Sequence, residues 1–275
     1  MDDLKLAFGG SRSRRGFLKA GLAAAGAATA AGLTFGTAFA EDGGPDGGDS
    51  SLDIFNGALT AEQLAVTFYY NGLHASGTSF PDVLSPDHIH YFQAGLWEEH
   101  RHAQLFAAVG AKSLAGPTPK FFFPAGTFEN QATFLAVLAA LEDAFVAAYL
   151  AAVGEWSRGG SRARRTVPDG YTPAQLAKIA GQILGVEAEH RTLGRDVGGA
   201  TVPNNRIFEK ALFERVGTPA DASGTAVGAL LPFVTGSGFA PGSHLLPSDG
   251  DVMTTATTST INQLENDWPG GLAKP

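Results

Sequence analysis

Ile183-Leu-Gly-Val-Glu-Ala-Glu-His-Arg-Thr-Leu-Gly-Arg195 contains Glu187 and His190, a Glu-x-x-His pair three residues apart. On a helix this spacing puts the carboxylate and the imidazole on one face. That face is the apolar one: Leu176, Ile179, Ile183, Glu187, His190 and Gly194 follow the helical period. Charge-bearing groups turned into a core are costly unless something compensates them. A second copy lies upstream in Glu99-His-Arg-His102, on the stripe Ile89, Phe92, Leu96, Glu99, Ala103 and Phe106. Two such pairs on separate inward faces call for a shared partner.

Two further helices carry one inward acid each. The first, over Leu52–Leu73, has the stripe Phe55, Ala58, Glu62, Ala65, Tyr69 and Leu73. The third, over Asn130–Trp156, has Phe134, Leu138, Leu141, Glu142, Phe145, Tyr149 and Ala152, again with a tyrosine seven residues after the acid. Ser85-Pro-Asp87 opens the second helix, which ends near Gly110, and Thr172-Pro-Ala-Gln175 opens the fourth. Both starts place a capping hydroxyl before a proline at the first helical position.

Glu62, Glu99, Glu142 and Glu187 are separated by 37, 43 and 45 residues, each one helix plus one connection. The order is single acid, pair, single acid, pair. That is the ligand set of a carboxylate-bridged dinuclear metal site in a four-helix bundle. Four carboxylates crowded in a core would repel and protonate, whereas two divalent cations balance their charge. Oxygen and imidazole ligands suit iron, manganese or zinc. The chain has no cysteine, which excludes disulfides, thiolate metal sites, cysteine nucleophiles and a rubredoxin-type electron donor within it.

The connections differ in kind. Ala111–Glu129 holds three prolines and Phe121-Phe-Phe123, too broken for a helix but long enough to run the length of a bundle. Its phenylalanines are expected to cover the outside of the bundle. Ser157–Tyr171 carries Arg158, Arg162, Arg164 and Arg165, a solvated basic loop. Gly77–Pro86 makes the remaining turn. Residues 198–275 are rich in Gly, Pro, Ser and Thr, with short helices expected near Arg206–Val216 and Thr257–Asn266. His74, His88, His90 and His100 are expected at the surface, and His244 has no evident partner.

The N-terminus is an address. Ser13-Arg-Arg-Gly-Phe-Leu-Lys19 resembles a twin-arginine export signal, followed by an Ala/Gly run ending in Ala38-Phe39-Ala40, a small-x-small cleavage pattern. Residues 1–40 are therefore expected to be a signal peptide and 41–51 a linker. The Ala/Gly run is too weakly apolar for a membrane anchor, so no integral span is expected in the mature chain. Removing the leader's five Lys/Arg and two Asp/Glu from 19 and 27 leaves 14 and 25, a net charge of about −11. Such a chain has no electrostatic reason to bind nucleic acid or an anionic membrane.

Over residues 52–197 the pattern resembles the ferritin-like superfamily, and among it the exported proteins related to desiccation-associated proteins. Leu141-Glu-Asp-Ala-Phe-Val-Ala-Ala-Tyr-Leu150 and Ile183-Leu-Gly-Val-Glu-Ala-Glu-His190 carry the resemblance. It implies an all-α four-helix bundle with a long crossover between its second and third helices, extended here by a loop-rich C-terminal segment, 198–275, packed on the bundle. It implies Glu62, Glu99, His102, Glu142, Glu187 and His190 as metal ligands, with Glu99 and Glu187 bridging and Glu62 and Glu142 terminal. Tyr69 and Tyr149 would stand beside the metals, and Glu98 would hydrogen-bond the histidine of the other pair. The implied cofactors are two ions of iron or manganese, the partners metal ions and small oxidants, and the chemistry ferrous oxidation or peroxide removal. A stress- or desiccation-protective protein with structural or stored metal is the alternative. The extension and long crossover do not resemble the compact subunit of a ferritin cage.

Overall fold

Each of the four apolar stripes forms one long helix in the computed structural model, which describes residues 48–75, 84–239 and 241–266. The helices are α1 (Ser51–Ala75), α2 (Pro86–Ala108), α3 (Gln131–Ser157) and α5 (Pro173–Val197), with a single turn, α4 (Arg162–Arg165), in the basic loop. The starts are chemically defined. Ser85 accepts from the His88 amide ahead of Pro86, and Asn130 accepts from the Thr133 amide. Thr172 and Gln175 form a reciprocal capping box. Each such cap stabilises its helix by ~1 kcal/mol. The proposed export signal, most of the linker and the turn from Gly77 lie outside the described residues. Everything described belongs to one compact unit within Ala31–Pro275.

The helices pack as two pairs, α1 on α2 and α3 on α5. Their inward stripes meet in the core, where Leu64, Phe68, Leu96, Phe134 and Leu138 are fully enclosed. Phe68 of α1 stacks on Phe134 of α3 at 4.4 Å between ring centroids, joining the two pairs. Gly72 makes this possible, because a Cβ there would lie 2.4 Å from the Phe134 ring. By length and composition α3 could cross a membrane. In this fold its apolar residues pack in the bundle, and its buried face includes Glu142 and Glu155.

Between α2 and α3 the crossover runs without a helix and carries strand β1 (Lys120–Phe121). Phe121 and Phe123 are buried, and Phe123 packs on Phe68 of the bundle, so the three-Phe segment covers the bundle as expected. The outer layer comes from the C-terminal segment. It contributes α6 (Ala226–Thr235), strand β2 (His244–Leu245), α7 (Asp249–Ala256) and α8 (Thr258–Asn266). β2 pairs antiparallel with β1, and the Phe122 amide donates to the Phe233 carbonyl at 2.8 Å. The apolar face of α6 (Val227, Leu230 and Phe233) is buried, while α7 and α8 lie on α2.

The structure corrects three expectations. No helix forms over Arg206–Val216. There the apolar spacing is misleading: Ile207 and Phe208 point outward, 91% and 87% exposed, while Phe213 and Val216 are buried and Leu212 is partly buried. Arg206, Glu209 and Lys210 are engaged instead by charges on α3 and α5, which fix the segment against its local helical preference. His100 is buried rather than at the surface, because the extension covers its face of α2; it contacts the Trp97 ring and lies 3.9 Å from Asp249. His244 has a partner after all, Asn71 Oδ1 at 3.0 Å, and its ring packs against those of Phe123 and Phe128.

Asp49–Ser51, assigned to a linker on sequence, are buried against the end of the bundle. Asp49 accepts from the Gly217 amide at 2.5 Å and lies near Arg215. Glu155 on α3 is buried beside it. Burial, and then the Asp49 carboxylate, push the Glu155 carboxyl up from 4.5 to about 9. Since the folded chain keeps a proton that the unfolded chain releases, this stability is present in acid and lost as pH rises from about 4.5 to about 9. Glu155→Gln is therefore expected to flatten the decline of Tm between these limits. Parallel melting profiles for variant and wild type would contradict this account of the Asp49–Glu155 contact.

Candidate metal centre

All six of the acids and histidines picked from the sequence converge at the centre of the bundle. Glu62 comes from α1, Glu99 and His102 from α2, Glu142 from α3, and Glu187 and His190 from α5. The four carboxylates are between 0% and 2% exposed. They sit deep because each occupies a core position in its helix, flanked one turn away by an apolar residue of the same stripe.

The ligand-capable atoms fall into two groups. Glu62, Glu99, His102 and Glu187 form one, and Glu99, Glu142, Glu187 and His190 the other, with one atom from each residue lying within 4.8 Å of the rest of its group. Glu99 and Glu187 belong to both, and their oxygens are divided between them. His102 Nδ1 lies 3.9 Å from Glu99 Oε2 and 3.7 Å from Glu187 Oε1. His190 Nδ1 lies 2.9 Å from Glu99 Oε1 and 3.3 Å from Glu187 Oε2.

Eight buried atoms in this cluster have no hydrogen-bond partner: both oxygens of Glu99 and of Glu187, Oε2 of Glu62 and of Glu142, and Nδ1 of both histidines. Buried polar atoms are almost always satisfied; the contacts among these eight are ion pairs, at distances such as 2.9 Å and 3.9 Å, and a common ligand would satisfy them. The donor set, carboxylate oxygen with imidazole nitrogen, fits hard to borderline divalent cations.

The remaining atoms are held from outside. Tyr69 donates to Glu142 Oε1 at 2.7 Å, and Tyr149 donates to Glu62 Oε1. The exchange is reciprocal: each tyrosine follows one terminal acid by two helical turns and binds the other. In both cases the bond occupies Oε1; Oε2 of Glu62 lies 3.3 Å from His102 Nδ1, whereas Glu142 approaches His190 Nδ1 with Oε1, at 3.9 Å. His190 Nε2 bonds Glu98 Oε2 at 2.9 Å, which turns Nδ1 toward the cluster. Gly95 gives room for this arrangement, since a Cβ there would lie 3.2 Å from the Tyr69 ring and 3.5 Å from His190 Nε2. The other half differs. Val186 stands before Glu187 where Glu98 stands before Glu99, and the His102 side chain is 15% exposed against 3% for His190.

A family model described as Ferritin-like domain matches residues 50–200, more than half of the chain. The chain belongs to the ferritin-like family. No curated protein and no solved structure matches it. The matched span covers all four helices of the ferritin-like bundle and ends just beyond α5, so the extension lies outside it.

Electrostatics in the ferritin-like core follow from burial. Burial raises the Glu99, Glu142 and Glu187 carboxyls, and neighbouring carboxylates add to the effect. Burial works against protonated histidine, yet the surrounding acids outweigh it and raise His102 and His190 well above the usual imidazole range. Without cations, then, the cluster retains protons to offset its own repulsion. Tyr69 and Tyr149 are raised well above their ordinary value, first by burial and then by Glu142 and Glu62 respectively. Both hydroxyls therefore remain donors.

One network beside the site was not foreseen. Arg191, buried next to His190, bonds Glu209 of the extension at 2.8 Å and lies 3.5 Å from Asp143, the neighbour of Glu142. Arg206 grips both Asp143 oxygens at 2.7 Å. These bonds tie α3 to α5 immediately behind two of the clustered residues. The available signal was Asp143 and Arg191 themselves, each adjacent in sequence to a candidate ligand.

Tyr69→Phe is expected to leave Glu142 Oε1 buried without a donor and to lower the unfolding free energy by ~1–3 kcal/mol. Urea titration measures the loss. Stability equal to wild type would show that the hydroxyl does not hold the carboxylate.

Proposed function

We propose that the chain is an exported ferritin-like protein, related to the desiccation-associated group, that holds two ions of iron or manganese and uses them to oxidise ferrous iron or remove peroxide. The observation carrying this reading is the partition of the eight orphaned atoms into two four-atom groups that share both carboxylates of Glu99 and Glu187. In it, Glu62, His102, Glu99 and Glu187 would hold one ion, and Glu142, His190, Glu99 and Glu187 would hold the other.

When bound, such ions supply redox chemistry toward dioxygen or peroxide and four positive charges against four carboxylates. The protein's own groups do the rest. Tyr69 and Tyr149 keep one oxygen of Glu142 and of Glu62 occupied and leave the other without a hydrogen bond. Glu98 fixes the His190 tautomer and orientation by accepting at Nε2. The buried stripes exclude bulk water, which strengthens every charge interaction within the cluster. Export by the twin-arginine route would suit a protein carried folded with its metal inserted.

The reading is tested by titrating chelator-treated protein with Fe(II) or Mn(II) under argon. Two equivalents are expected for the wild type. Glu62→Ala and Glu142→Ala should each retain one, because each acid serves a single group, whereas Glu99→Ala should lose both. No uptake by the wild type, or unchanged uptake by all three variants, would defeat the proposal. Two bound ions without turnover of ferrous iron or peroxide would instead favour a storage or protective role.

A further inference from the structure

We propose that the space beneath α6 is a binding pocket for a small nonpolar molecule of dioxygen size, delivered to the Glu62–His102 half of the cluster past Tyr149. A cavity of about 50 Å³ lies between α1, α3 and α6. That is several times the ~10–15 Å³ needed to seat one water. Its walls are apolar, and much of the room comes from alanines at positions such as Ala58, Ala144, Ala148 and Ala229. The backbone around it is helical except at Val216, whose carbonyl accepts from the Val227 amide, and the one side-chain hydroxyl at the wall, that of Tyr149, is already committed to Glu62. A partly open space with such a lining offers water no partner and favours an uncharged, nonpolar guest.

Tyr149 is the link. Its ring forms part of the cavity wall, and its hydroxyl donates to Glu62, one of the residues unique to the first group. A second apolar cavity of about 20 Å³, toward Trp156 and Tyr171, shares Ile54, Ala58 and Tyr149 with the first. Both spaces therefore converge on the same side chain. They converge on the looser half of the cluster, where His102 is the more exposed histidine and Val186 stands in place of an outer carboxylate.

The pocket gives the C-terminal extension a role. Its outer wall is α6, which lies beyond the family match. Val227, Leu230 and Phe233 seat the helix on the bundle, and Gly57 of α1 admits it closely, since a Cβ there would meet Val216 at 3.0 Å and Val227 at 3.2 Å. Occupancy of the pocket stands on the cavity alone, whereas delivery to the cluster rests on the dinuclear reading above.

The test is xenon, a nonpolar probe of suitable size, applied under pressure to crystals of the exported protein with and without added metal. One xenon is expected between α1, α3 and α6 in both states. Ala148→Leu, from the bundle side, and Ala229→Leu, from the extension side, should each abolish that density while leaving Tm at or above the wild-type value, as filling a real void does. In the metal-loaded protein both should also slow oxidation by dissolved dioxygen without changing the number of ions bound. Absence of xenon from the wild type would overturn the pocket, and oxidation at the wild-type rate in both variants would overturn delivery. Xenon bound in a chain that takes up no metal upholds the pocket and removes only the reading of the cluster.

Discussion

Four carboxylates facing one another in a dry core set the terms for the rest of this structure. Water cannot screen them there, and burial alone drives Glu99, Glu142 and Glu187 toward their neutral forms. A core designed only for stability would replace them with leucine at little cost. What surrounds them instead preserves their geometry: two tyrosines, one outer glutamate, two histidines and a glycine that makes room for a ring. Tyr69, Tyr149 and Glu98 each hold one atom of a clustered residue and leave another of its polar atoms without a hydrogen bond, an arrangement that suits cation binding.

The arrangement is close to a two-fold repeat of helical pairs. α1 with α2 supplies Glu62, Glu99 and His102, and α3 with α5 supplies Glu142, Glu187 and His190. Tyr69 and Tyr149 cross between the pairs, so neither pair is complete alone. The repeat is broken at Glu98 and Val186, and again by the extension, whose helix α6 closes an apolar space on the Tyr149 side. The two halves of the cluster thus have different surroundings. One is braced by Glu98 and by the Asp143–Arg191 network, and the other adjoins the cavities.

The bundle was legible because four helices repeat one signal, an apolar stripe interrupted by acids and histidines at fixed turns. Glu187 and His190 interrupt an otherwise apolar row, and only a buried role reconciles them with it. The convergence of all six residues was likewise readable from spacing, since each interval matches one helix and one connection. The extension was not, for reasons visible in single residues. Ile207 and Phe208 imitate a helical face, yet the charges of Arg206 and Glu209 are drawn to Asp143 and Arg191, partners far away in sequence. Nothing local to His100 announces that α7 will cover it. The pairing of β1 with β2 joins two-residue strands more than a hundred positions apart, too short for any periodicity to reveal.

Two ions sharing Glu99 and Glu187, as proposed, would be magnetically coupled, and that coupling can be read directly. Protein loaded with Mn(II) and examined by electron paramagnetic resonance should show the spectrum of an exchange-coupled pair, appearing only as the second equivalent is added. A six-line spectrum of isolated Mn(II), growing in proportion to the metal supplied, would mean that the two groups of atoms do not act as one centre.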